Sequence, residues 1–409
     1  MEQLDIRSLK NAVAGRYAAI RRITHLEPQG DKVFPPTYEG GEYAVEPRQV
    51  RDKEDNVQTV ETVLLDSVQS QANRMELALQ HAYDSGRLKM PMLQVDFAGD
   101  GRDSILAEIG RITALEAPHR LFDAIFRDSV DNGTPFRQTE VGAKLSSARA
   151  VNVTPVFELC PTALLFGFWD STGPRGGLGA KLQRALVSEI VGYQTVVGKR
   201  PASRIDPLQI ENNVEIYSTA DGGWTLDLAR AVVKNGDPVR LKPSEKNHGN
   251  ITPSLRHEDK NTKKQVLNHG GVTLAYATQH TVLSLAALRR LRFPVGGGTT
   301  PDADIAGRTV LAALGLVAVC LVAEDGYDLR SRCLLDGKPG DFELVGRGDA
   351  KPYELDSDAA LQVLTEAVKE AKRLGLPWPD APVTLQPSAD LSRLVVESRR
   401  KSMSASVGA

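Results

Sequence analysis

A glycine-rich stretch, Asp170–Arg184, is the part of the sequence best suited to chemistry. It reads Asp-Ser-Thr-Gly-Pro-Arg-Gly-Gly-Leu-Gly-Ala-Lys-Leu-Gln-Arg, with four glycines in the seven residues 173–179. Glycines leave backbone N–H groups uncovered, and Arg175, Lys181 and Arg184 add three cations. We predict a helix directly after the loop, so that its N-terminal N–H groups face the loop. The combination predicts contact with phosphate groups; the alternative is a tight strand-to-helix turn with solvated cations.

This stretch matches neither of two common nucleotide-binding motifs. A P-loop places Lys directly after Gly and Ser or Thr after the Lys, but Ala180 separates Gly179 from Lys181. The dinucleotide fingerprint requires Gly or Ala at position 182, which is Leu. The sequence therefore favours contact with a phosphate backbone over binding of a free nucleotide.

A second polar stretch, Asp66–Arg74, lies in a predicted amphipathic helix. Ser67, Gln71 and Arg74 are spaced i, i+4 and i+7, so they share one helix face, opposite the apolar stripe. Asn73 lies beside them. Small hydrogen-bonding groups with one arginine suit sugar–phosphate oxygens. The alternative is an ordinary solvated face, although such a face usually carries Lys/Glu pairs.

A third candidate is the basic, turn-rich segment Lys242–Asn250. Arg256, Lys260, Lys263 and Lys264 follow it. We predict that this segment reaches over a nucleic-acid strand. A mobile, solvated loop is equally consistent with its composition.

Arrangements typical of enzymes are missing from the sequence. The seven histidines form no HxH or HxxxH pair, and no G-x-S-x-G motif is present. Three cysteines, Cys160, Cys320 and Cys333, lie far apart, which gives neither a disulfide framework nor zinc spacing and suits a reducing compartment. Nothing in the sequence requires an enzyme.

Composition and charge describe a globular chain with separated charge. Of 409 residues, 41% are hydrophobic and 25% are charged, and the formal net charge is −2, so no overall basic signature of a nucleic-acid binder exists. Local net charge is +4 over residues 137–200, +5 over 230–264 and −4 over 341–380. A polyanion could therefore bind the middle of a nearly neutral chain.

Periodicity predicts the elements that position these segments. We predict strands at 17–27, Met92–Phe97, Phe157–Trp169 and Val272–Thr278, and a hairpin formed by Cys333–Leu335 and Phe342–Val345. We predict helices at Val60–Ala82, Leu182–Val191, Val282–Leu291 and Asp358–Leu374, and one that begins at Pro301. The apolar run Thr309–Ala323 is shorter than the ~20 residues of a membrane span, which predicts a buried helix. Irregular alternation of the elements favours an α+β fold with insertions.

Three segments together resemble one known family. Leu64–Arg74, Glu158–Lys181 and Ser203–Leu208 are similar to the RAMP-superfamily backbone subunit of type I-U (also called I-G) CRISPR Cascade, the seven-type Cas protein. The resemblance runs from about residue 17 to about residue 380.

This resemblance implies an RRM-like (ferredoxin-like) palm with insertions that form fingers and a β-hairpin thumb. The corresponding organisation is a single domain over residues 1–395, with insertions near 30–58, 98–156 and 201–270, and a flexible tail at 396–409. The thumb candidate is Arg127–Arg137, whose Asn132-Gly133 pair favours a tight hairpin turn.

The resemblance also implies a non-catalytic, cytoplasmic prokaryotic protein without cofactor or metal. Copies would stack along CRISPR RNA, contact target DNA through the guide, and assemble with the large subunit and a five- or six-type RAMP subunit, away from membranes. Two alternatives are a metal-dependent endoribonuclease of related fold and a phosphate-handling enzyme that uses the glycine-rich loop. The predicted RNA-binding residues are Ser67, Gln71, Asn73, Arg74, Arg127, Arg137, Thr172, Gly173, Arg175, Gly176, Gly177, Lys181, Arg184, Arg204, Lys246, Asn247 and His248.

Overall fold

The computed structural model describes residues 2–52, 54–99, 103–172, 179–258 and 265–407, and shows a mixed α/β protein. The helices are α1 (Ile6–Ala14), α2 (Val68–Asp84), α3 (Ser104–Ala107), α4 (Ala124–Arg127), α5 (Glu140–Ser146), α6 (Thr154–Leu159), α7 (Thr162–Phe166), α8 (Leu285–Leu288), α9 (Pro301–Asp325), α10 (Ser357–Arg373) and α11 (Ala389–Val407). The strands are β1 (Glu2–Gln3), β2 (Ala19–Pro28), β3 (Val45–Arg51), β4 (Val57–Asp66), β5 (Leu93–Asp96), β6 (Arg111–Thr113), β7 (Ser129–Asp131), β8 (Thr134–Pro135), β9 (Phe168–Trp169), β10 (Lys181–Leu182), β11 (Leu186–Tyr193), β12 (Val196–Lys199), β13 (Ala202–Arg204), β14 (Ile216–Ser218), β15 (Trp224–Thr225), β16 (Val233–Lys234), β17 (Asp237–Pro238), β18 (Arg240–Leu241), β19 (Ile251–Ser254), β20 (Arg256–Glu258), β21 (Gln265–Leu267), β22 (His269–Thr273), β23 (Tyr276–Ser284), β24 (Tyr327–Arg330), β25 (Cys333–Asp336), β26 (Phe342–Val345), β27 (Lys351–Glu354) and β28 (Val383–Pro387).

The main sheet follows the order β1-β27-β26-β2-β23-β11-β4-β3. Strand β2 lies between β26 and β23 and runs antiparallel to both. β25 pairs with the last residues of β2, beyond the part of β2 that pairs with β26, and β24 pairs in turn with β25. Along the chain β2, α2, β11, β23, α9 and β26 follow one another in that order, whereas the four strands lie as β26-β2-β23-β11 in the sheet.

Helices α2 and α9 cover one face of this sheet. Gln71 of α2 bonds to Ser188 of β11, and Gly315 of α9 packs against Leu186 and Leu283. Because successive strand residues point to opposite faces, the neighbours of these residues in β11 and β23 project from the other, uncovered face.

Helix α9 forms the centre of the hydrophobic core. Thr300 caps it by accepting a hydrogen bond from the Ala303 N–H at 3.2 Å, and Pro301 occupies its first turn, where a missing N–H costs little. Within the described residues it is the one helix long and apolar enough to cross a membrane, but 94% of its most apolar part is buried inside the protein, against α1, α2 and α10. The predicted buried helix is confirmed.

A second sheet and a group of small strand pairs extend from the main sheet. The second sheet has the order β6-β5-β28-β7-β8, and β28 runs parallel to β5. Between β12 and β22 the chain forms short pairs, β13–β19, β14 with β15 and β18, β16–β17 and β20–β21. We call residues 201–270 the insertion module. Many of its large apolar side chains are exposed, among them Ile205, Leu208 and Leu226.

Two predicted segments have the opposite secondary structure. Phe157–Trp169, predicted as a strand, forms α6, α7 and only the short strand β9. Leu182–Val191, predicted as a helix, belongs mainly to the central strand β11. A short apolar run is compatible with a strand or a helix. Here the packing of each segment, within the main sheet or against it, decides which one forms.

Other boundaries also differ from the prediction. The predicted helix Val60–Ala82 starts only at Val68, because residues 57–66 form β4. The predicted helix Val282–Leu291 shrinks to α8, because β23 continues to Ser284. β25 and β26 do not form a hairpin but pair with different parts of β2. Residues 396–407, predicted as a flexible tail, continue helix α11. The strand at 17–27, the strand at 92–97 and the helix at 358–374 are confirmed.

We predict that Leu314→Ala destabilises the protein strongly. Leu314 lies in α9 and is fully buried, so the substitution leaves a cavity and lowers the free energy of unfolding by about 2–5 kcal/mol. Leu77→Ala is the matched control: Leu77 is 51% exposed in α2, and its loss costs about 0.5 kcal/mol or less. Chemical denaturation measures both, and equal losses would contradict the central position of α9.

Candidate nucleic-acid interface

A fully buried carboxylate, that of Asp66, lies where β4 ends and α2 begins. Two arginines bind it: Arg74 Nε donates to Oδ2 at 2.9 Å, and Arg330 Nη2 donates to Oδ1 at 3.2 Å. Ser70 Oγ donates to Oδ1 at 2.7 Å, and Gln71 Nε2 donates to Oδ2 at 2.6 Å. Because an uncompensated buried charge is very costly, this cluster ties the start of α2 to the end of β4 and, through Arg330, to the end of β24.

The Gln71 amide links this cluster to the sheet. Its Oε1 accepts hydrogen bonds from Ser188 Oγ at 3.0 Å and from Gln279 Nε2 at 2.7 Å. Ser188 Oγ lies 2.9 Å from Thr281 Oγ1, and Gln279 Oε1 accepts from Tyr327 Oη at 3.1 Å. A satisfied buried network of this kind holds its members in one arrangement.

The predicted RNA-binding face of α2 is corrected by these contacts. Gln71 is fully buried and points at the sheet, and the Arg74 charge is paired with Asp66. Ser67 is the N-cap of α2, with its Oγ accepting the Ser70 N–H at 3.2 Å. Asn73 is exposed. Of the predicted polar face, Gln71 therefore lies inside the protein, whereas Ser67 and Arg74 are half-buried.

The strands on either side of the glycines, β9 and β10, form a hairpin, which we call the glycine-rich hairpin. β9 pairs antiparallel with β10, and the Asp170 N–H donates to the Ala180 carbonyl at 2.8 Å. Four predicted contact residues, Gly173, Arg175, Gly176 and Gly177, lie outside the described residues, and Thr172 is exposed. The predicted helix after the loop is wrong, since β10 and β11 follow it. A helix dipole therefore contributes nothing to phosphate binding here.

The two described cations of the stretch differ in accessibility. Lys181 is exposed, and its Nζ lies 5.0 Å from the centroid of the exposed Trp169 ring, a cation–π contact. Arg184 is half-buried near the ion pair of Arg120 and Glu76, in which Arg120 Nε and Nη2 bind both carboxylate oxygens at 2.6 and 2.7 Å.

Burial dominates the electrostatics around that pair. It raises the pKa of Glu76 to about 7, although the Arg120 and Arg184 charges oppose the rise. Burial also lowers the pKa of Arg184, and the nearby Arg120 charge lowers it further. Arg184 is thus coupled to a buried ion pair, whereas Lys181 with Trp169 forms the accessible part of the hairpin.

The hairpin of β7 and β8 contains the tight turn that the sequence predicted. The two arginines beside it, Arg127 and Arg137, are both paired with carboxylates. Asn132 and Gly133 have φ values of 48° and 80°, as a tight I′-type turn requires. Arg137 binds the buried Asp170 carboxylate with both terminal nitrogens, at 2.9 and 2.7 Å. Arg127 is paired with its neighbour Asp128. Arg137 is thus held by a buried carboxylate, whereas about a third of the Arg127 side chain is exposed, and contact of the two arginines with RNA stays a prediction.

In the insertion module, Arg204 lies beside a structural carboxylate. Asp206 is buried and accepts the Gly249 N–H at 2.7 Å and the Ile210 N–H at 3.2 Å, which ties two loops together. Arg204 Nη2 lies 3.7 Å from Asp206 Oδ1, and a third of its side chain is exposed. Arg204 therefore retains an accessible charge.

Lys246, Asn247 and His248 lie together on the same module. Lys246 Nζ donates to the Gly222 carbonyl at 2.5 Å. Asn247 is exposed, with φ of 59° in the left-handed region. The His248 ring meets the Trp224 ring edge-on, with centroids 5.7 Å apart. The three residues form a polar, partly aromatic surface.

The uncovered face of the main sheet carries charges that the sequence analysis missed. Arg48 Nη1 donates to Glu189 Oε1 at 3.0 Å, and Arg21 Nη2 donates to Glu343 Oε2 at 2.6 Å. His280 lies opposite Glu189 on β23. Burial lowers the pKa of His280; Glu189 opposes this shift, and Arg21 and Arg48 add to it.

The glycine-rich hairpin, the insertion module and the uncovered sheet face present cations, amides and hydroxyls. Groups of these kinds can bind a phosphate backbone. Within the ranges that the structure describes, no group of three or more His, Cys, Asp or Glu side chains is placed to hold a metal ion.

One stretch of the chain matches a known protein family. Residues 20–197 match the model of the family described as CRISPR-associated protein GSU0053. GSU0053 is the type I-U Cas7 protein, and the match is consistent with a Cas7-type subunit. The resemblance predicted from the sequence is confirmed over these residues. Comparison with curated proteins gives no match.

We predict that Arg74→Ala destabilises the protein instead of acting only on RNA binding. The substitution leaves the buried Asp66 with one arginine fewer, which costs about 1–3 kcal/mol. Asn73→Ala, at the exposed neighbouring position, changes stability by about 0.5 kcal/mol or less. Thermal unfolding of both variants tests this, and an Arg74→Ala protein as stable as the Asn73→Ala protein would refute the structural role of Arg74.

Proposed function

We propose that the protein is a non-catalytic, CRISPR RNA-binding backbone subunit of a type I-U/I-G Cascade complex in the prokaryotic cytoplasm. Copies line up along the guide RNA and present its bases to target DNA, alongside the large subunit and a five- or six-type RAMP subunit. The observation that carries this proposal is the family match over residues 20–197, which spans β2, α2, the glycine-rich hairpin and β11.

The order of the central elements supports an RRM-like palm. A β-α-β-β-α-β path whose strands lie in the order 4-1-3-2 is that of a ferredoxin-like unit. Here β2, α2, β11, β23, α9 and β26 follow this path, and the strands lie as β26-β2-β23-β11. In RRM domains RNA lies on the sheet face opposite the helices. The corresponding face here carries Arg21, Arg48 and His280.

The chemistry of the exposed groups suits recognition of a backbone rather than of bases. A subunit that accepts any guide sequence must contact phosphate and sugar and leave base edges free. Lys181, Arg204 and the Lys246–His248 surface offer cations and amides without a row of stacking rings. The sequence of the glycine-rich stretch adds four glycines, and glycines leave backbone N–H groups uncovered for an anion.

We propose that the β20–β21 hairpin is the thumb, instead of the β7–β8 hairpin. β7 and β8 have only three and two residues, and both flanking arginines are paired within the protein. β20 and β21 pair antiparallel and are largely exposed, and the sequence between them contains Lys260, Lys263 and Lys264. Such a basic hairpin can cross an RNA strand.

We predict that Lys181→Ala weakens RNA binding to a similar degree for unrelated sequences. Removal of one phosphate contact lowers the slope of log K against log salt concentration by about 1. Lys372→Ala in α10, another partly exposed lysine, leaves affinity and slope unchanged. Fluorescence anisotropy with two unrelated RNAs measures both, and an unchanged slope in Lys181→Ala would remove the hairpin from the interface. Magnesium-dependent cleavage of target RNA in the same samples would favour the endoribonuclease alternative.

We predict that removal of the β20–β21 hairpin abolishes a regular pattern of protected and exposed guide nucleotides. Replacing residues 257–266 with a short Gly-Ser link leaves the palm folded, because the described strands β20 and β21 are largely exposed and lie outside both hydrophobic cores. Deleting Asp131–Thr134 is the matched control and preserves the pattern. Nuclease footprinting decides between the two hairpins: loss of periodicity only in the Asp131–Thr134 deletion would return the thumb to 127–137.

A further inference from the structure

A polar cleft of about 880 Å³ lies between the end of α9, the start of α10 and the turn before β26. The residues of its wall that matter here are Arg22, Arg87, Glu324, Asp341, Glu354 and Asp356.

Arg22 places an unused hydrogen-bond donor at this cleft. Its side chain is only 5% exposed, and its Nε donates to the Gly340 carbonyl at 2.9 Å. The guanidinium carbon lies 4.8 Å from the Phe342 ring centroid. Nη1 is buried and has no hydrogen-bond partner among the described residues. Since an unmade hydrogen bond of a buried charged group is costly, the cleft wall is incomplete without an oxygen acceptor.

Two carboxylates at the same cleft lie at the ends of neighbouring strands. Phe342 of β26 pairs with Tyr353 of β27, and Asp341 and Glu354 are the next residues in this register. Like charges on adjacent strands destabilise a sheet. A cation bound between them would relieve this repulsion.

The cleft wall holds more acidic than basic side chains. Its basic side chains are Arg22, Arg87 and the exposed Lys338, and Arg87 is engaged by Glu324 at 2.8 Å and by Asp358 at 2.7 Å. Its acidic side chains are Glu324, Asp341, Glu354, Asp356 and Asp358, so the wall has a net charge of −2. A phosphate backbone is therefore repelled, whereas a basic peptide segment offers both carbonyl oxygens for Arg22 and positive side chains for the carboxylates.

The chain itself carries a segment of this kind, the β16–β17 hairpin. Its tip, Asn235-Gly236, has φ values of 55° and 92° and is exposed. From Arg230 to Lys242 four basic residues face one acidic residue, a net charge of +3. Val233, beside the tip, is 61% exposed.

We propose that the acidic cleft receives the β16–β17 hairpin of a second copy of this chain. Lys234 and Arg230 approach Asp341 and Glu354, and a main-chain carbonyl of the incoming hairpin accepts the free Nη1–H of Arg22. The inference rests on the proposed function, because it names the surfaces through which copies meet along the guide. The contact is heterologous, so it extends into an open row of copies.

Reciprocal charge reversal tests the pairing. The first variant carries Asp341→Lys and Glu354→Lys, and the second carries Arg230→Glu and Lys234→Glu. Each alone opposes like charges at the contact and fails to self-associate. Mixed together, they restore attraction in both directions, and the association constant rises by at least about tenfold over either variant alone. Sedimentation of the full-length proteins measures this, without RNA and on a long single-stranded RNA.

Two control variants show whether a loss of self-association comes from the proposed contact, from unfolding or from the change in net charge. Asp325→Lys with Asp328→Lys makes the same charge change outside the cleft wall and leaves self-association at the wild-type level. Arg22→Met removes a buried, incompletely bonded charge, so its melting temperature stays at or above that of the wild type while association weakens. A structural role for Arg22 would instead lower the melting temperature and leave association intact.

The outcomes also separate this inference from the proposed function. Normal self-association of either charge-reversed variant, or failure of the mixture to associate, overturns the cleft–hairpin contact even when each protein binds a short RNA normally. Association of the mixture together with absence of RNA binding by the wild type overturns the proposed function and leaves the contact standing.

Discussion

The buried carboxylate of Asp66 is the constraint on which the arrangement of α2 over the main sheet depends. A charge with no exposed surface must be compensated inside the protein, and here the compensation comes from Arg74 on α2 and Arg330 on β24. The same carboxylate orients Gln71, which joins β11 and β23 through hydrogen bonds. One ionised group therefore sets the position of α2 over the sheet and of the β24 edge beside it. Apolar packing around α9 supplies the bulk of the core, but it is not directional and would tolerate other orientations.

The groups that we propose to contact RNA lie on segments that project from this frame. The glycine-rich hairpin and the insertion module leave the frame as short strand pairs whose side chains are largely exposed. Lys181 is exposed on the hairpin, and Arg204 on the insertion module keeps a third of its side chain exposed beside the buried Asp206. By contrast, Arg184 lies near the buried Glu76, and Arg137 binds the buried Asp170. Such a division suits a protein that must hold a flexible polyanion in one register while its own subunits keep a fixed spacing.

The sequence predicted the elements with the strongest periodicity and missed those that depend on neighbours. The apolar run of α9 and the amphipathic pattern of α10 were sufficient to predict these two helices, because a pattern of that length does not fit a strand. For 157–169 and 182–191 the short apolar runs fit both structures, and only the sheet partners decide. In the site, the i, i+4, i+7 spacing of Ser67, Gln71 and Arg74 was correct, but the face was assigned to solvent. A buried polar residue cannot be recognised without its partners, here Asp66 and Ser188. Likewise, nothing in the spacing of Arg137 indicates its bond to Asp170.

The central claim, that copies of this protein bind along an RNA through its backbone, is tested most directly by counting bound copies on RNAs of increasing length. Mass photometry or sedimentation of the wild-type protein on single-stranded RNAs of unrelated sequence gives this count. The account predicts that the number of copies rises in equal increments with RNA length and is the same for every sequence. A single bound copy at all lengths, or a count that depends on base sequence, would contradict it.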